Sequence, residues 1–552
     1  MAKNQTNTYW PFGGKGLASF GVNDQLLIEE LPVPKENEVL ARVDAYTICA
    51  SDVKMIHMGN DYPLFKDRDF TSQPARLGHE LALTVVTAGK NRRKEWSVGK
   101  RFGVQPDVYL NGDRYCIGVN VNGGMAEYIL LGAEVFSSDM GSCAFPITGE
   151  FSAAAIAQTE PVACVEAAFI NHTRSHYFEN DRIFLWIDPK ADKVFMLDSL
   201  YSVSTIQVYD PADRLHQTVM LPELVSSEKL SEIPEGSFDG VIVVGNPTNK
   251  ELTGLTELLN PKGIFAWLPE YKPDRYAELD IAKVHYNKLN LAASMSGKLS
   301  EALNPQKYRY DYSPGGTLII SGGGGAMGRI HVMRALQHEN PPSKIIVTTR
   351  SSERHAALHR TFDRLAKEKD IELITLVVEK DSYKEKMWAI VGNSGASDII
   401  VCAPGVSPID NVVEFLAENG LIVLFAGTSY GHFAKLPLGM VATQGVSITA
   451  SSGSSVADQT RVIEKMRKKQ LDPDVNIAAI GGLSAGKDGI LAVKNGMYSG
   501  KVIIFPHLFH LPLTALEDLD KISPRLAAKV QHEGWSKSAE DLLAEIWQKG
   551  EK

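Results

Sequence analysis

Three short segments in the first third of the chain carry side chains that could bind a transition metal. TICASDVKMIHMG contains Cys49, RLGHELALTVV contains the adjacent pair His79 and Glu80, and AQTEPVACVEAAF contains Glu160. A thiolate, an imidazole and one or two carboxylates suit Zn²⁺ with one coordination position left open for a substrate oxygen. Zinc held there would act as a Lewis acid and stabilise an alkoxide, so that hydride can leave the neighbouring carbon.

A hydroxyl group lies two positions after the thiolate, and Ser51 could pass the alcohol proton outward. Taken singly, these residues have simpler explanations. A lone cysteine is commonly a small buried hydrophobic residue, Glu160 could favour a helix N-terminus, and Asp52 could belong to a turn. Their joint occurrence, in this order, favours the catalytic interpretation.

The segment IISGGGGAMGRIHVMRAL combines an apolar run, a glycine turn and a helical pattern. This combination predicts the phosphate cradle of a dinucleotide site, in which the helix N-terminus faces the pyrophosphate. Glycines permit the tight turn, the close approach of the backbone and the packing of helix on strand. The expected cofactor-binding residues of this turn are Gly323, Gly325, Ala326, Met327 and Gly328.

The end of the following strand, IIVTTRSSERH, bears on the choice of cofactor. Thr349 stands where an NAD-preferring site would carry an aspartate. Arg350 and Arg354 could hold a 2′-phosphate, or they could be solvated surface residues. We expect NADP(H) to be favoured over NAD(H).

Length and composition limit the elements that can position these groups. A chain of 552 residues is too long for a single core. Its net charge of -9, without a basic block, argues against nucleic acid as a partner. We expect no signal peptide and no membrane span. The five cysteines are scattered without a CxxC pair, which favours the reducing cytoplasm over a disulfide framework.

The chain also contains an internal repeat. Residues 182–200 parallel 317–336, the segment from Phe238 parallels that from Ser397, and LNLAAS parallels VSITAS. Each block has strand and helix patterns, which are typical of a doubly wound sheet. Residues 176–312 are therefore expected to form a second Rossmann-like copy. Its glycine turn is replaced by DPKAD, where proline removes a backbone donor and the aspartates repel phosphate.

The motifs CASD, LGHELALTVV, GGMAEYILL, TEP and GGGGAMG together resemble the zinc-dependent medium-chain dehydrogenase/reductase family. The C-terminal runs SSGSSVADQTRVIEK and SGKVIIF are similar to its L-sorbose 1-phosphate reductase-like branch. The resemblance implies a GroES-like, mostly-β catalytic domain and a Rossmann domain. Together with the internal repeat, this predicts an α/β protein with two doubly wound Rossmann-like units, the first degenerate and the second cofactor-binding. The resemblance also implies zinc ligation by Cys49 and His79, with Glu80 and Glu160 completing the site as in polyol-type members.

Two departures from the family pattern matter. The family's structural-zinc lobe carries four closely spaced cysteines, but QPDVYLNGDRYCIGVNVNG has only Cys116. We therefore expect one catalytic zinc and no structural zinc. The family's usual histidine five residues after the zinc cysteine is replaced by Lys54, which could contact a charged or hydroxylated substrate or could be a solvated side chain.

The expected division of the chain is a catalytic domain over 1–175, the degenerate copy over 176–312, the cofactor domain over 313–480, and a return to the catalytic domain with a helical tail over 481–552. The segments 289–294 and 446–451 are expected to pair antiparallel within one chain, which hides both sheet edges. Any homo-oligomer would then use a surface other than the Rossmann edge strand.

The sequence thus predicts a zinc- and NAD(P)-dependent dehydrogenase that acts on a sugar or polyol, phosphorylated or not. Two alternatives remain. The cofactor could stay bound and drive an epimerisation or elimination through transient oxidation, or the chain could be a non-catalytic nucleotide or redox sensor.

Overall fold

The computed structural model describes residues 6–200, 203–210, 212, 223–226, 233–378, 382–451 and 453–549. The chain forms two units. One comprises Met1–Glu166, Gly325–Gln337 and Gly453–Lys552, and the other comprises Ala167–Gly324 and His338–Ser452. Among the helices in these described ranges, none has the length and apolar character needed to cross a membrane.

The N-terminal part is mostly β-strand, as its broken apolar runs predicted. Its strands are β1 (Thr6–Tyr9), β2 (Leu27–Glu30), β3 (Val39–Thr47), β4 (Glu80–Ala88), β5 (Arg101–Val104), β6 (Asp107–Leu110), β7 (Asp113–Cys116), β8 (Tyr128–Leu131) and β9 (Ala144–Pro146). Its helices are α1 (Ala50–Met58), α2 (Ala133–Phe136), α3 (Ala153–Ala157) and α4 (Thr159–Ala167). In the antiparallel pair β3–β4, Thr47 lies opposite Glu80. The end of β3 that leads to Cys49 therefore lies beside the start of β4.

The next part contains the first Rossmann-like copy. Its strands are β10 (Arg182–Ile187), β11 (Thr205–Tyr209), β12 (Glu223–Ser226), β13 (Phe238–Val244), β14 (Leu259–Leu268), β15 (Ala277–Asp280) and β16 (Asn290–Ala293). Its helices are α5 (Asn249–Glu257), α6 (Ile281–Tyr286) and α7 (Leu299–Leu303). Six of the strands form a parallel sheet in the order β12-β11-β10-β13-β14-β16.

The sequence predicted a helix within residues 188–200, and this was wrong. In the described residues between β10 and β11 the chain forms turns and bends rather than a helix. Pro189 lacks a backbone donor and disfavours a helix here, while Phe195, Leu197 and Leu200 are buried in the core of this copy without one.

The second copy repeats this arrangement. Its strands are β17 (Thr317–Ser321), β18 (Lys344–Thr349), β19 (Glu372–Val377), β20 (Ala396–Val401), β21 (Leu416–Leu424), β22 (Phe433–Leu436) and β23 (Ser447–Ala450). Its helices are α8 (Ala326–Gln337), α9 (Ser352–Glu368), α10 (Tyr383–Val391), α11 (Ser407–Asp410), α12 (Leu438–Gln444) and α13 (Val456–Arg467). The parallel sheet has the order β19-β18-β17-β20-β21-β23, which is the order of the first copy. The shared order confirms the duplicated, doubly wound architecture.

The last part of the chain returns to the N-terminal sheet. It contains β24 (Ile477–Gly482), β25 (Lys501–Phe505), β26 (Thr514–Ala515), α14 (Gly486–Asn495), α15 (Pro524–Glu533) and α16 (Lys537–Lys549). The eight-stranded sheet has the order β26-β24-β25-β3-β4-β5-β9, with β8 paired to β3. This places β25 beside β3, with Ile503 opposite Thr47. The boundaries expected at residues 175, 312 and 480 stay predictions.

The two copies are joined inside the chain, but not by the strands that the sequence predicted. Within the described residues, β16 is bonded to β14 and β23 to β21, and they do not pair with each other. Residues 307–309, in the linker between the copies, instead bond to β16 and β23. The Ala293 amide donates to Tyr308 Oη at 3.2 Å, Lys307 Nζ donates to the Ala293 carbonyl at 2.6 Å, and the Arg309 amide donates to Ser447 Oγ at 2.8 Å. The predicted pairing of 289–294 with 446–451 is therefore wrong.

A different ladder connects the copies. β15 pairs antiparallel with β22, from Ala277 opposite Leu436 to Asp280 opposite Phe433. In addition, α12 packs against β16 and α6 packs against β23, so each copy covers the edge strand of the other with a helix. One hydrophobic cluster includes buried side chains of both copies, among them Trp267 and Ile422.

Candidate active site

The structure brings together three of the four residues predicted to hold zinc. Cys49 directly precedes α1, while His79 and Glu80 lie at the start of β4. One ligand atom from each of these residues can be chosen so that all lie within 4.8 Å of one another. His79 and Glu80 are buried, and Cys49 is partly exposed. A sulfur, a nitrogen and an oxygen donor that converge in this way match the ligand types of a catalytic zinc site.

Asp52 orients the histidine of this group. Its fully buried carboxylate accepts hydrogen bonds from the Cys49 amide at 2.9 Å and the Gly78 amide at 3.3 Å, and it lies 3.3 Å from His79 Nδ1. A proton on Nδ1 leaves the lone pair of Nε2 available to a metal ion. Burial disfavours the charged imidazole, but the Asp52 carboxylate outweighs it and holds the pKa of His79 well above its ordinary value. The sequence suggested only a turn role for Asp52.

Ser51, the predicted proton-transfer residue, contacts His79. Its Oγ is 3.1 Å from His79 Nε2, so the hydroxyl lies beside the candidate metal ligands. Its role in proton transfer stays a prediction.

Lys501 also contacts this group, and the sequence analysis did not single it out. It begins β25, and its Nζ donates to both Glu80 oxygens, at 2.7 Å and 2.6 Å. The side chains of Lys501 and Glu80 are 3% and 0% exposed. Burial opposes the charge of Lys501, but Glu80 and the nearby Cys49 raise its pKa. A lysine at the start of the otherwise apolar run KVIIF was the available signal, because a buried charge needs a partner.

Glu160 lies in the first turn of α4, outside the group of three. Its Oε1 accepts a hydrogen bond from Cys164 Sγ at 3.3 Å. Burial raises the pKa of Glu160, and the negative charge of Glu80 raises it further. Glu80, Cys49 and Glu160 thus all lie close enough to Lys501 to raise its pKa, and they bring sulfur and oxygen donors to one region of the chain.

Cys116 and Lys54 lie on separate elements of the same unit. The stretch expected to lack a structural zinc folds as the antiparallel pair β6–β7, with Cys116 at its end opposite Asp107. Lys54 is exposed on α1, so both interpretations of its role remain open. The single zinc per chain and the substrate contact of Lys54 stay predictions.

The glycine turn of the second copy has no room for a side chain at Gly323 or Gly324. A Cβ added to Gly323 would lie 2.3 Å from Val347 Cγ1, and one added to Gly324 would lie 2.7 Å from Thr349 Oγ1 and 3.0 Å from Arg354 Cβ. Thr349 and Arg354 therefore flank the turn, while Arg350 is exposed just after β18. Ala326 begins α8, and Met327 and Gly328 follow in its first turn. The binding role of these residues is a prediction that the arrangement supports.

The corresponding turn of the first copy is filled by the protein's own carboxylates. Asp188 accepts hydrogen bonds from the Lys190 amide at 2.9 Å and the Asn246 amide at 3.0 Å. Glu270 accepts from the Asp192 amide at 3.1 Å and the Lys193 amide at 3.0 Å. Backbone donors of this kind hold the pyrophosphate in an active cradle. Here they are already occupied by anions of the chain, which disfavours a second nucleotide.

Comparison with known proteins agrees with this architecture. Residues 35–138 match the model of the alcohol dehydrogenase GroES-like domain. The chain is 23% identical over 544 residues to the Escherichia coli K12 protein YggP, covering 96% of each. It is 22% identical over 526 residues to L-sorbose 1-phosphate reductase of Klebsiella pneumoniae, covering 93% of this chain and 92% of the relative. A mannitol-1-phosphate 5-dehydrogenase of Aliivibrio fischeri is 24% identical over 324 residues, covering 55% and 76%.

Solved structures show the same fold. A structure from Sinorhizobium meliloti 1021, described as a zinc-binding dehydrogenase bound to NADP, has a TM-score of 0.50 at 15% identity, covering 91% of this chain and 100% of the other. An Escherichia coli oxidoreductase/dehydrogenase of unknown specificity has a TM-score of 0.51 at 16% identity, covering 91% and 99%. At these identities the likeness establishes the fold alone.

Proposed function

We propose that the chain belongs to the zinc-dependent medium-chain dehydrogenase/reductase family, which its GroES-like domain match supports, and that it is a zinc- and NADP(H)-dependent oxidoreductase. Its reaction is the reversible transfer of hydride between the cofactor and an alcohol or ketone carbon of a sugar or polyol. The observation that carries this proposal is the convergence of Cys49, His79 and Glu80, whose ligand atoms lie within 4.8 Å of one another.

The names of two relatives support the substrate class. L-sorbose 1-phosphate reductase and mannitol-1-phosphate 5-dehydrogenase are named for sugar and polyol phosphates. The similarity covers 93% of this chain for the first relative and 55% for the second. We infer a sugar or polyol substrate, phosphorylated or not, with Lys54 as a candidate contact for its charged or hydroxylated part.

Cys49 and His79 would hold the zinc ion, with Glu80 and Glu160 as the carboxylates that complete the site. When bound, zinc supplies Lewis-acid polarisation of the substrate oxygen, and the nicotinamide exchanges the hydride. The protein's own residues prepare this chemistry. Ser51 accepts the proton of the substrate hydroxyl through its Oγ and passes it outward.

Two other residues fix the geometry of the ligands. Asp52 holds the proton on His79 Nδ1, which keeps Nε2 available to the metal ion. Lys501 neutralises Glu80 and fixes its carboxylate in place. Both are positioning residues in this proposal, because they act through the ligands.

A panel of sugars, polyols and their phosphates, assayed with NADP⁺ and NAD⁺ while bound zinc is measured, tests the proposal. We expect net cofactor reduction with at least one member of the panel and about one zinc per chain. Conversion of a sugar without net reduced cofactor would instead indicate an epimerase or lyase that retains its cofactor. Absence of zinc from an active chain would overturn the metal assignment.

Replacing Arg350 with alanine tests the cofactor preference. We expect the Michaelis constant for NADPH to rise about tenfold or more while that for NADH changes little, since only NADPH offers a 2′-phosphate to the guanidinium. Initial rates with each cofactor at saturating substrate provide the measurement. Arg364, exposed further along α9 and paired with Glu368 at 3.7 Å, is the matched control. Equal effects on both cofactors would show that Arg350 is a surface residue.

A further inference from the structure

Helix α6 of the first copy reaches the carboxyl end of a strand in the second copy. His285, in this helix, is buried, and its Nδ1 lies 3.0 Å from the carbonyl oxygen of Leu424, the last residue of β21. The next residue in the helix is Tyr286. A Cβ added to Gly427 would lie 2.2 Å from Tyr286 Oη, so the phenol rests directly on the backbone of Gly427.

The position of Gly427 matters because of the sheet order. In a doubly wound sheet of this order, ligands bind outside the carboxyl ends of the strands, and the two halves of a dinucleotide occupy the two halves of the sheet. The glycine turn after β17 belongs to the adenosine half, together with β18. β20 and β21 belong to the other half, which receives the nicotinamide. Gly427, three residues after β21, therefore lies at the nicotinamide end of the cofactor site, given the cofactor binding proposed above.

Tyr286 is placed to meet a ligand there. Its side chain is 42% exposed although its hydroxyl touches the chain, and the ring centroid lies 6.1 Å from that of Tyr430. The Tyr430 hydroxyl donates to Asn287 Oδ1 at 3.2 Å. Within the described residues no corresponding bond uses the Tyr286 hydroxyl. An aromatic ring with an unused hydroxyl is suited to pack against a riboside and to hydrogen-bond with it.

We propose that Tyr286 of the inserted copy contacts the nicotinamide riboside of the cofactor bound by the second copy. The first copy, whose own cradle is filled by Asp188 and Glu270, then contributes a side chain to its neighbour's site. The inference rests on the proposed function, because it requires a dinucleotide in the second copy. It adds a contact residue from a part of the chain that binds no nucleotide itself.

The test compares a whole dinucleotide with a fragment that lacks the nicotinamide. Binding of NADPH and of adenosine 2′,5′-bisphosphate is measured by calorimetry on the full chain and on Tyr286→Ala. We expect NADPH to bind about three- to tenfold more weakly to the variant, the range typical of a lost aromatic contact. The fragment should bind equally to both proteins. Tyr286→Phe, which keeps the ring, should recover part of the affinity for NADPH.

Tyr271→Ala is the matched control, since this tyrosine of the same copy is 63% exposed and should affect neither ligand. Equal weakening of both ligands by Tyr286→Ala would show a structural role and overturn the proposal, as would unchanged affinity for NADPH. If the unsubstituted chain binds neither ligand, the proposed function itself fails. That outcome is visible before any variant is made.

Discussion

Cys49→Ser is expected to lower kcat/KM for alcohol oxidation about a thousandfold or more and to release the bound zinc, while the chain remains folded. The thiolate is the strongest donor of the group, and Lewis-acid stabilisation of a developing alkoxide amounts to several kcal/mol, about tenfold in rate for each 1.4 kcal/mol. Steady-state kinetics and metal analysis by mass spectrometry give the two readouts. His79→Ala should have the same two effects.

Cys143→Ser is the matched control. Cys143 is buried in the same unit, and its Sγ lies 3.3 Å from Ser138 Oγ rather than beside the metal-binding group. This variant should keep its zinc and its activity. A Cys49→Ser protein that is free of zinc yet fully active would refute the assignment of the metal site.

Lys501→Met is expected to destabilise the chain by about 3–5 kcal/mol, because it leaves the Glu80 carboxylate buried and unpaired. The ammonium and the carboxylate are both removed from water, so neither charge is tolerated without the other. The measurement is the shift in the urea midpoint, taken after dialysis against a chelator so that bound zinc cannot replace the missing charge.

The double variant Lys501→Met/Glu80→Gln separates a charge effect from a packing effect. It removes both charges, so most of the lost stability should return. If the double variant is as unstable as Lys501→Met, the loss comes from the shape of the lysine side chain. If Lys501→Met itself unfolds at the same urea concentration as the unsubstituted protein, the buried pair contributes nothing measurable.

The sequence predicted the architecture well where the pattern is local and repeated. Alternating and broken apolar runs located the N-terminal strands, and the parallel blocks from Phe238 and Ser397 predicted two sheets that the structure shows with the same strand order. For the metal-binding group, the residue types of Cys49, His79 and Glu80 were sufficient. The antiparallel pairing of β3 with β4 brings these three residues together. Both strands were predicted from their apolar patterns.

Two of the failures share a physical cause, since each depended on contacts between distant segments. Lys501 lies 421 positions from Glu80, and only the pairing of β25 with β3 brings the two strands into one sheet. The pairing expected for 289–294 with 446–451 failed because Tyr308 and Lys307 of the linker satisfy the backbone of Ala293. Propensity and periodicity describe a strand, but they do not reveal which side chain will occupy its edge.

The ladder between β15 and β22 affects which amino-acid substitutions the two copies can accumulate independently. When one gene encodes a symmetric dimer, every substitution appears in both halves, so a change that abolishes one cofactor site abolishes the other. Here the halves are encoded separately and are held at the fixed, high effective concentration of a single polypeptide. Asp188 and Glu270 can therefore occupy the backbone donors of the first copy's turn, while Gly323 and Gly324 keep the backbone of the second copy's turn free of side chains. Their association does not weaken when the protein is diluted.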